Sequence, residues 1–106
     1  MKSYYVYIFS NVNAVVLYIG VTNSLKRRLH EHYSNANTLK NSFAGKYNCY
    51  HLLYYETYSS IKVAIAREKE LKGWSRKKKN SLIRGVNPYF EFIVPPNWCN
   101  KGLYNK

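Results

Sequence analysis

The sequence predicts a small α/β domain: a central sheet of three strands flanked by helices, in the order β-β-α-β-α-α. Three observations predict it. Residues 4–9 and 15–21 are short apolar and aromatic runs, close enough in the chain to pair as an antiparallel hairpin, and residues 50–58 are a third such run. Basic segments with helical periodicity stand between and after these runs. The 106 residues are enough for one modest core and too few for two. The domain is expected over residues 1–88, with 89–106 as a C-terminal arm packed back on it.

Residues 4–9 carry apolar or aromatic side chains on both faces, as expected of a strand covered on two sides. Asn11 and Asn13 mark the turn, and residues 15–21 return through Tyr18, Ile19 and Gly20. Tyr7 and Tyr18 become near neighbours, as cross-strand packing or as site residues. A basic helix then runs to about Ser34, with Asn23 or Ser24 as its cap and free backbone N–H groups at its start. At 100° per residue, Leu25, Leu29 and His32 share one side of this helix, and Arg28 lies about 60° from Leu25 on that side. A guanidinium leaning toward a core needs an anion or a wet cleft, because an unpaired buried charge is costly. Phosphate is the obvious anion. Arg27 and Glu31 point elsewhere, and His32 is open to a packing or a phosphate-contacting role.

Residues 34–49 are polar and aperiodic, a loop of a length that is often functional in compact domains. After the third strand, Ser59 or Ser60 caps the next helix. With Ile61 at zero, Ala64, Ile65 and Leu71 form its apolar stripe, and Glu68 falls within about 20° of Ile61. A carboxylate inside a buried stripe is unusual. On the residues alone it is either half of a buried ion pair, with Arg28 as partner, or a metal ligand. Glu70, Arg67 and Lys69 read as solvated surface. Gly73 breaks the helix, Trp74 reads as core, and a further basic helix follows with Leu82 and Ile83 as its apolar residues.

The formal charge of +12 comes from 17 Lys and Arg against five glutamates, with no aspartate. It points to a polyanionic partner. No amphipathic membrane helix or lipidation signal is present, which favours nucleic acid over a membrane. Arg67, Lys69, Lys72, Arg76, Lys77, Lys78, Lys79 and Arg84 crowd one segment against Glu68 and Glu70. Such a cluster suits phosphate contacts, which give affinity without sequence choice, while a solvated face is the plainer alternative. A two-metal site needs several clustered carboxylates, so at most one ion is expected. Cys49 and Cys99 lack metal-binding spacing and read as reduced thiols. Without a signal-like or membrane-spanning apolar run, the expected compartment is the cytoplasm.

Tyr5-Val6-Tyr7 and Tyr18-Ile19-Gly20, then Arg28, then Glu68 in the pattern Glu-x-x-Leu-Lys, resemble the GIY-YIG nuclease family, most of all its small stand-alone members. The resemblance runs from Tyr4 to about Pro88, and four motifs in the right order make it specific. It implies a GIY-YIG nuclease-like fold and a metal-dependent endonuclease that cuts phosphodiester bonds in DNA by in-line attack of water, with RNA left open. The catalytic set it implies is Tyr7, Tyr18, Arg28, His32 and Glu68. Glu68 would hold one divalent cation, magnesium ahead of manganese. Tyr7 and Tyr18 would orient the water, and Tyr18 is favoured as its base because it directly precedes the turn into the Arg28 helix.

Arg27, Lys46, Arg76, Lys77, Lys78 and Lys79 are the candidate nucleic-acid contacts, and Gly20 and Asn87 the candidate supports of the site. No recognisable DNA-reading module accompanies the domain. Selection by substrate structure, or none, is therefore expected over selection by sequence. The competing reading is a nucleic-acid-binding module with little or no cleavage that depends on a partner. A basic structural protein of an RNA–protein particle is a third. The sequence leaves the oligomeric state open.

Overall fold

The computed structural model describes residues 3–11, 13–34 and 51–93, the side chains of 32–34 excepted. The expected element order is the one observed: β1 (Tyr4–Ser10), β2 (Leu17–Thr22), α1 (Leu25–Ser34), β3 (His51–Tyr58), α2 (Ile61–Lys72) and α3 (Arg76–Val86). β1 is the central strand, antiparallel to both β2 and β3. Its side chains alternate between two cores. On one face Val6 and Ile8 join Ile19, Leu53 and Tyr54 against Ala64 and Leu71 of α2 and Ile83 of α3. On the other, Tyr7 and Phe9 join Leu52 against Leu25 and Leu29 of α1. Coverage on both faces is why β1 is apolar throughout its middle.

β2 begins two residues later than its apolar run suggests. The Asn11 carboxamide oxygen accepts the N–H groups of Val15 and Val16 at 2.9 and 3.0 Å, which keeps both in the turn. Ala14 there has a φ of 55°. Ser24, Ser60 and Ser75 cap the three helices, their hydroxyls accepting from Arg27, Val63 and Lys78 N–H. The expected third-strand residue Tyr50 lies outside the described residues.

α2 is rotated from the expected orientation. Ala64 and Leu71 are fully buried, whereas Ile61 and Ile65 are exposed. Two features account for this. The small side chain of Ala64 lets the helix approach the sheet, and Arg67 is drawn to Glu56 of β3 at 2.9 Å. Glu68, on the Ile61 side of the helix, consequently lies at the margin of the buried face that Ala64 and Leu71 form rather than at its centre.

The β1–β3 ladder slips between Ile8 and Phe9, which pair with Tyr54 and Leu52, so Leu53 is the extra residue of a bulge. Asn87 satisfies its carbonyl, donating from Nδ2 at 2.9 Å. The same nitrogen donates to the Glu91 carbonyl, and Asn87 Oδ1 accepts the Glu91 N–H. Ile93 N–H donates to the Leu52 carbonyl at 2.8 Å, and Phe92 stacks on His51 with centroids 3.9 Å apart. Asn87 therefore braces the bulge and the chain after α3.

Candidate active site

Tyr7 and Gly20 are cross-strand partners in the β1–β2 ladder. The Tyr7 ring lies flat enough across β2 that a Cβ at Gly20 would collide with its hydroxyl and Cζ. The glycine is needed for this close approach, and its backbone is ordinary strand. Tyr18, opposite Phe9, shares the face, its ring centroid 6.4 Å from that of Tyr7. Phe9 backs the Tyr7 ring at 4.3 Å.

Leu25 and Leu29 dock α1 on this same face, and the docking aims Arg28 at the tyrosine: Arg28 Nε donates to the Tyr7 hydroxyl at 3.0 Å. The arginine side chain is 33% exposed, a wet cleft rather than a core. Glu31, expected to point away, lies one turn on and accepts from Arg28 Nη1 at 2.9 Å. It takes a looser approach from Arg27 at 3.6 Å, and Arg27 also donates to Asn23. Arg28 Nη2 makes no hydrogen bond among the described residues. Burial pushes the Tyr7 phenol up to about 12, against the pull of Arg28 and with help from the nearby charges of Tyr18 and Glu68. Burial also works against the Arg28 charge, but the Tyr7 hydrogen bond and the Glu31 carboxylate outweigh it and leave its pKa raised. At neutral pH the pair is a neutral phenol and a guanidinium.

Glu68 stands on α2, which packs on the other face of the sheet, and its negative charge adds a small upward push on the Tyr7 pKa. Its side chain is 16% exposed, and Lys72 Nζ lies 3.2 Å from Oε2. The ion pair between Glu68 and Arg28 that the helix pattern allowed is not formed, because Arg28 turns to Glu31 and Glu68 to Lys72.

A family model described as the GIY-YIG catalytic domain matches residues 3–81. The chain belongs to the GIY-YIG family. Among solved structures, the solution NMR structure of a UPF0213 protein from Bacillus halodurans is similar to it: 27% identity, 84% of this chain and 90% of that one covered, TM-score 0.51. No curated protein matches the sequence. A GIY-YIG domain is a nuclease domain, with nucleic acid as its substrate and, as a rule, a divalent metal ion in its reaction.

The residues of this GIY-YIG domain fit such an ion in a minimal way. No group of three or more His, Cys, Asp or Glu gathers among the described residues. Magnesium, however, is commonly held by one or two carboxylates and completes its shell with water and substrate phosphate. Glu68, with one oxygen engaged only by a lysine, meets that requirement.

Several expected site residues stand differently. The His32 side chain and Lys46 lie outside the described residues. Asn87 braces the bulge at Leu53 on the α2–α3 face and touches neither Tyr7 nor Arg28. Arg76, expected on phosphate, clamps the β1–β2 turn: Nη1 and Nη2 donate to the Val15 and Ala14 carbonyls, and Nε donates to Asn80. Lys78 places its ammonium 4.2 Å from the Trp74 ring centroid. Lys77 is exposed.

A polar cluster on the α2 face was not expected from the sequence. Glu56 accepts from the Tyr54 and Tyr58 hydroxyls at 2.5 and 2.6 Å, and from Arg67 Nε and Nη2 at 2.9 and 3.0 Å. Arg67 also donates to Glu70 and lies over Trp74. Burial works to raise the Glu56 pKa, but the hydrogen bonds from Arg67 and the two tyrosines prevail and lower it. The signal was the period-two spacing Tyr54, Glu56, Tyr58, which sets two phenols on either side of a carboxylate on one strand face.

Proposed function

We propose that this GIY-YIG domain is a divalent-metal-dependent endonuclease that hydrolyses phosphodiester bonds in DNA, selecting by substrate structure or not at all rather than by sequence. The observation that carries this reading is the Arg28–Tyr7 hydrogen bond above Gly20. A domain kept only to grip nucleic acid has no need of that arrangement.

Arg28 is fixed through Nε and Nη1, which leaves its Nη2 edge to meet a phosphoryl oxygen as negative charge builds there. Glu68 holds one divalent cation, magnesium by preference. When bound, that ion polarises the phosphate and stabilises the leaving oxygen. The Arg28 hydrogen bond fixes the Tyr7 hydroxyl beside the guanidinium, where an incoming water would meet both. The phenol proton is held tightly by burial, so Tyr7 serves first to orient the water. It becomes a base only where cations stabilise the phenolate. Tyr18 stands on the same sheet face, its ring centroid 6.4 Å from that of Tyr7. The premise that favoured Tyr18 as base was proximity to Arg28, and that premise now supports Tyr7.

The test is a cleavage screen over flap, branched, nicked and plain duplex DNA and over RNA, with magnesium and with a chelator. Magnesium-dependent cutting of at least one DNA is expected. Tight binding without cutting of any substrate, by folded protein, would support the binding-module alternative.

A further inference from the structure

Among the described residues, four of the five glutamates are in ion pairs, and the pairs differ in kind. Glu56 is gripped by two N–H groups of one arginine and by two phenols, Glu31 is shared by Arg27 and Arg28, and Glu70 takes an N–H of Arg67. Arginine forks of this sort are directional and hard to displace. Of these four, Glu68 alone is paired with a lysine, through one contact to one oxygen, although its own side chain is almost as covered as that of Glu56. The lysine side chain is 56% exposed, so Lys72 can swing into solvent at little cost. A largely covered carboxylate thus carries a single, movable positive charge.

We infer that Lys72 is a displaceable counter-cation of Glu68: its ammonium occupies the carboxylate until a divalent ion replaces it, and so sets how tightly the site takes that ion. The inference rests on the reading of Glu68 as the metal ligand. An i,i+4 pair of Glu and Lys on an open helix face is a weak solvated contact. Here one partner is largely covered, so Lys72 compensates a charge that water reaches poorly, and its removal exposes that charge to any other cation. Lys69, one residue beyond Glu68 and exposed on the same helix, supplies an equal charge without the contact.

The test is direct binding of Mn2+ to the full chain, followed by the electron paramagnetic resonance signal of the free ion, with no nucleic acid present. Lys72→Met keeps the apolar stem and removes the charge, and it should tighten Mn2+ binding by about threefold to tenfold. Lys69→Met should change it by less than about twofold, and Glu68→Gln should weaken it at least tenfold. If Glu68→Gln weakens binding while Lys72→Met matches Lys69→Met, Lys72 is a bystander and this inference fails alone. If Glu68→Gln leaves binding unchanged, the metal-ligand role of Glu68 fails, and this inference with it.

Discussion

The Tyr7 hydroxyl stands directly over Gly20, so close that the two positions cannot both carry side chains as they are. The second tripeptide ends in glycine because the first ends in a tyrosine that lies across it. Gly20→Ala should therefore displace the Tyr7 ring, lowering stability by about 1 to 3 kcal/mol, the usual cost of forcing a methyl group into occupied space. Cleavage should fall with it, because the Arg28 hydrogen bond depends on the ring position. In a Tyr7→Ala background, itself destabilised by the cavity left in the core, Gly20→Ala should add little further cost because the ring it strikes is gone. Denaturant melts that find Gly20→Ala as stable as the parent protein would contradict the close approach.

Glu68 and Glu70 separate the site from its surroundings. Glu68→Gln should abolish metal-dependent cleavage and leave nucleic-acid binding intact or tighter, since it removes a charge that repels phosphate and keeps the shape. Glu70→Gln only weakens the hold on an arginine that Glu56 still grips, and its cleavage rate should stay within about threefold of the parent, on the scale of an exposed ion pair. Equal loss in both variants, with the fold verified by circular dichroism, would remove Glu68 from the site.

The Glu56 cluster should show in the acid limb of stability. Its folded pKa lies below the ordinary carboxylate value. The stabilisation is therefore complete above that ordinary value and is lost as pH falls through the lowered one. Glu56→Gln should cost about 2 kcal/mol at pH 7, where it leaves Arg67 and two phenols with a poorer partner. It should also flatten the decline of stability in acid below about pH 5. Parallel pH profiles for the two proteins would show that Glu56 does not carry the charge that Arg67 and the phenols stabilise.

The basic residues that open α3 divide into Arg76, which holds the β1–β2 turn, and Lys77, Lys78 and Lys79, of which Lys78 lies over Trp74 and would have to leave that ring to meet phosphate. Replacing Lys77, Lys78 and Lys79 by Ala should reduce the slope of log K against log salt by roughly 2 to 3 units, at about 0.9 for each phosphate no longer neutralised. Arg76→Met should instead lower the melting temperature and leave the slope nearly unchanged, because its guanidinium is committed to the Ala14 and Val15 carbonyls. A large slope change on Arg76→Met would reverse that division.

The element order was legible because each strand is a run of aromatic and β-branched residues and each helix opens on a serine cap. Arg28 and Glu68 were legible as charges on faces that otherwise read as buried. What escaped the sequence was rotation and reach. The turn of α2 toward the sheet depends on Arg67 finding Glu56, a contact between residues 11 apart on different elements, and helical periodicity sees only one element at a time. Arg76 looked like part of a lysine run, and only the fold brings the β1–β2 turn, 61 residues earlier, against it. The preference for Tyr18 over Tyr7 rested on chain proximity to Arg28, and the hairpin brings the Tyr7 hydroxyl into hydrogen-bond contact with Arg28 from 21 residues away.

The two tyrosines differ in what surrounds the phenol. Tyr7 is buried, receives the Arg28 Nε hydrogen bond and has its pKa pushed up to about 12, whereas Tyr18 is partly exposed on the same sheet face. A phenol that loses its proton only near pH 12 is almost wholly protonated at pH 7, so any reaction that uses its phenolate should accelerate about tenfold per pH unit across the neutral and mildly alkaline range. The raised value also bears on stability. The folded state holds the Tyr7 proton above the ordinary phenol pKa, and that stabilisation is present below about pH 10 and disappears as pH rises through about 12. Rate and stability can therefore be read separately between about pH 6 and 9. Over that interval Tyr7→Phe should lower cleavage by about 100-fold or more and abolish the rise with pH, while Tyr18→Phe should keep both the rise and most of the rate. If Tyr18→Phe is the more damaging change and alone flattens the profile, Tyr18 carries the proton transfer and the Tyr7 hydroxyl serves only to hold Arg28 in place.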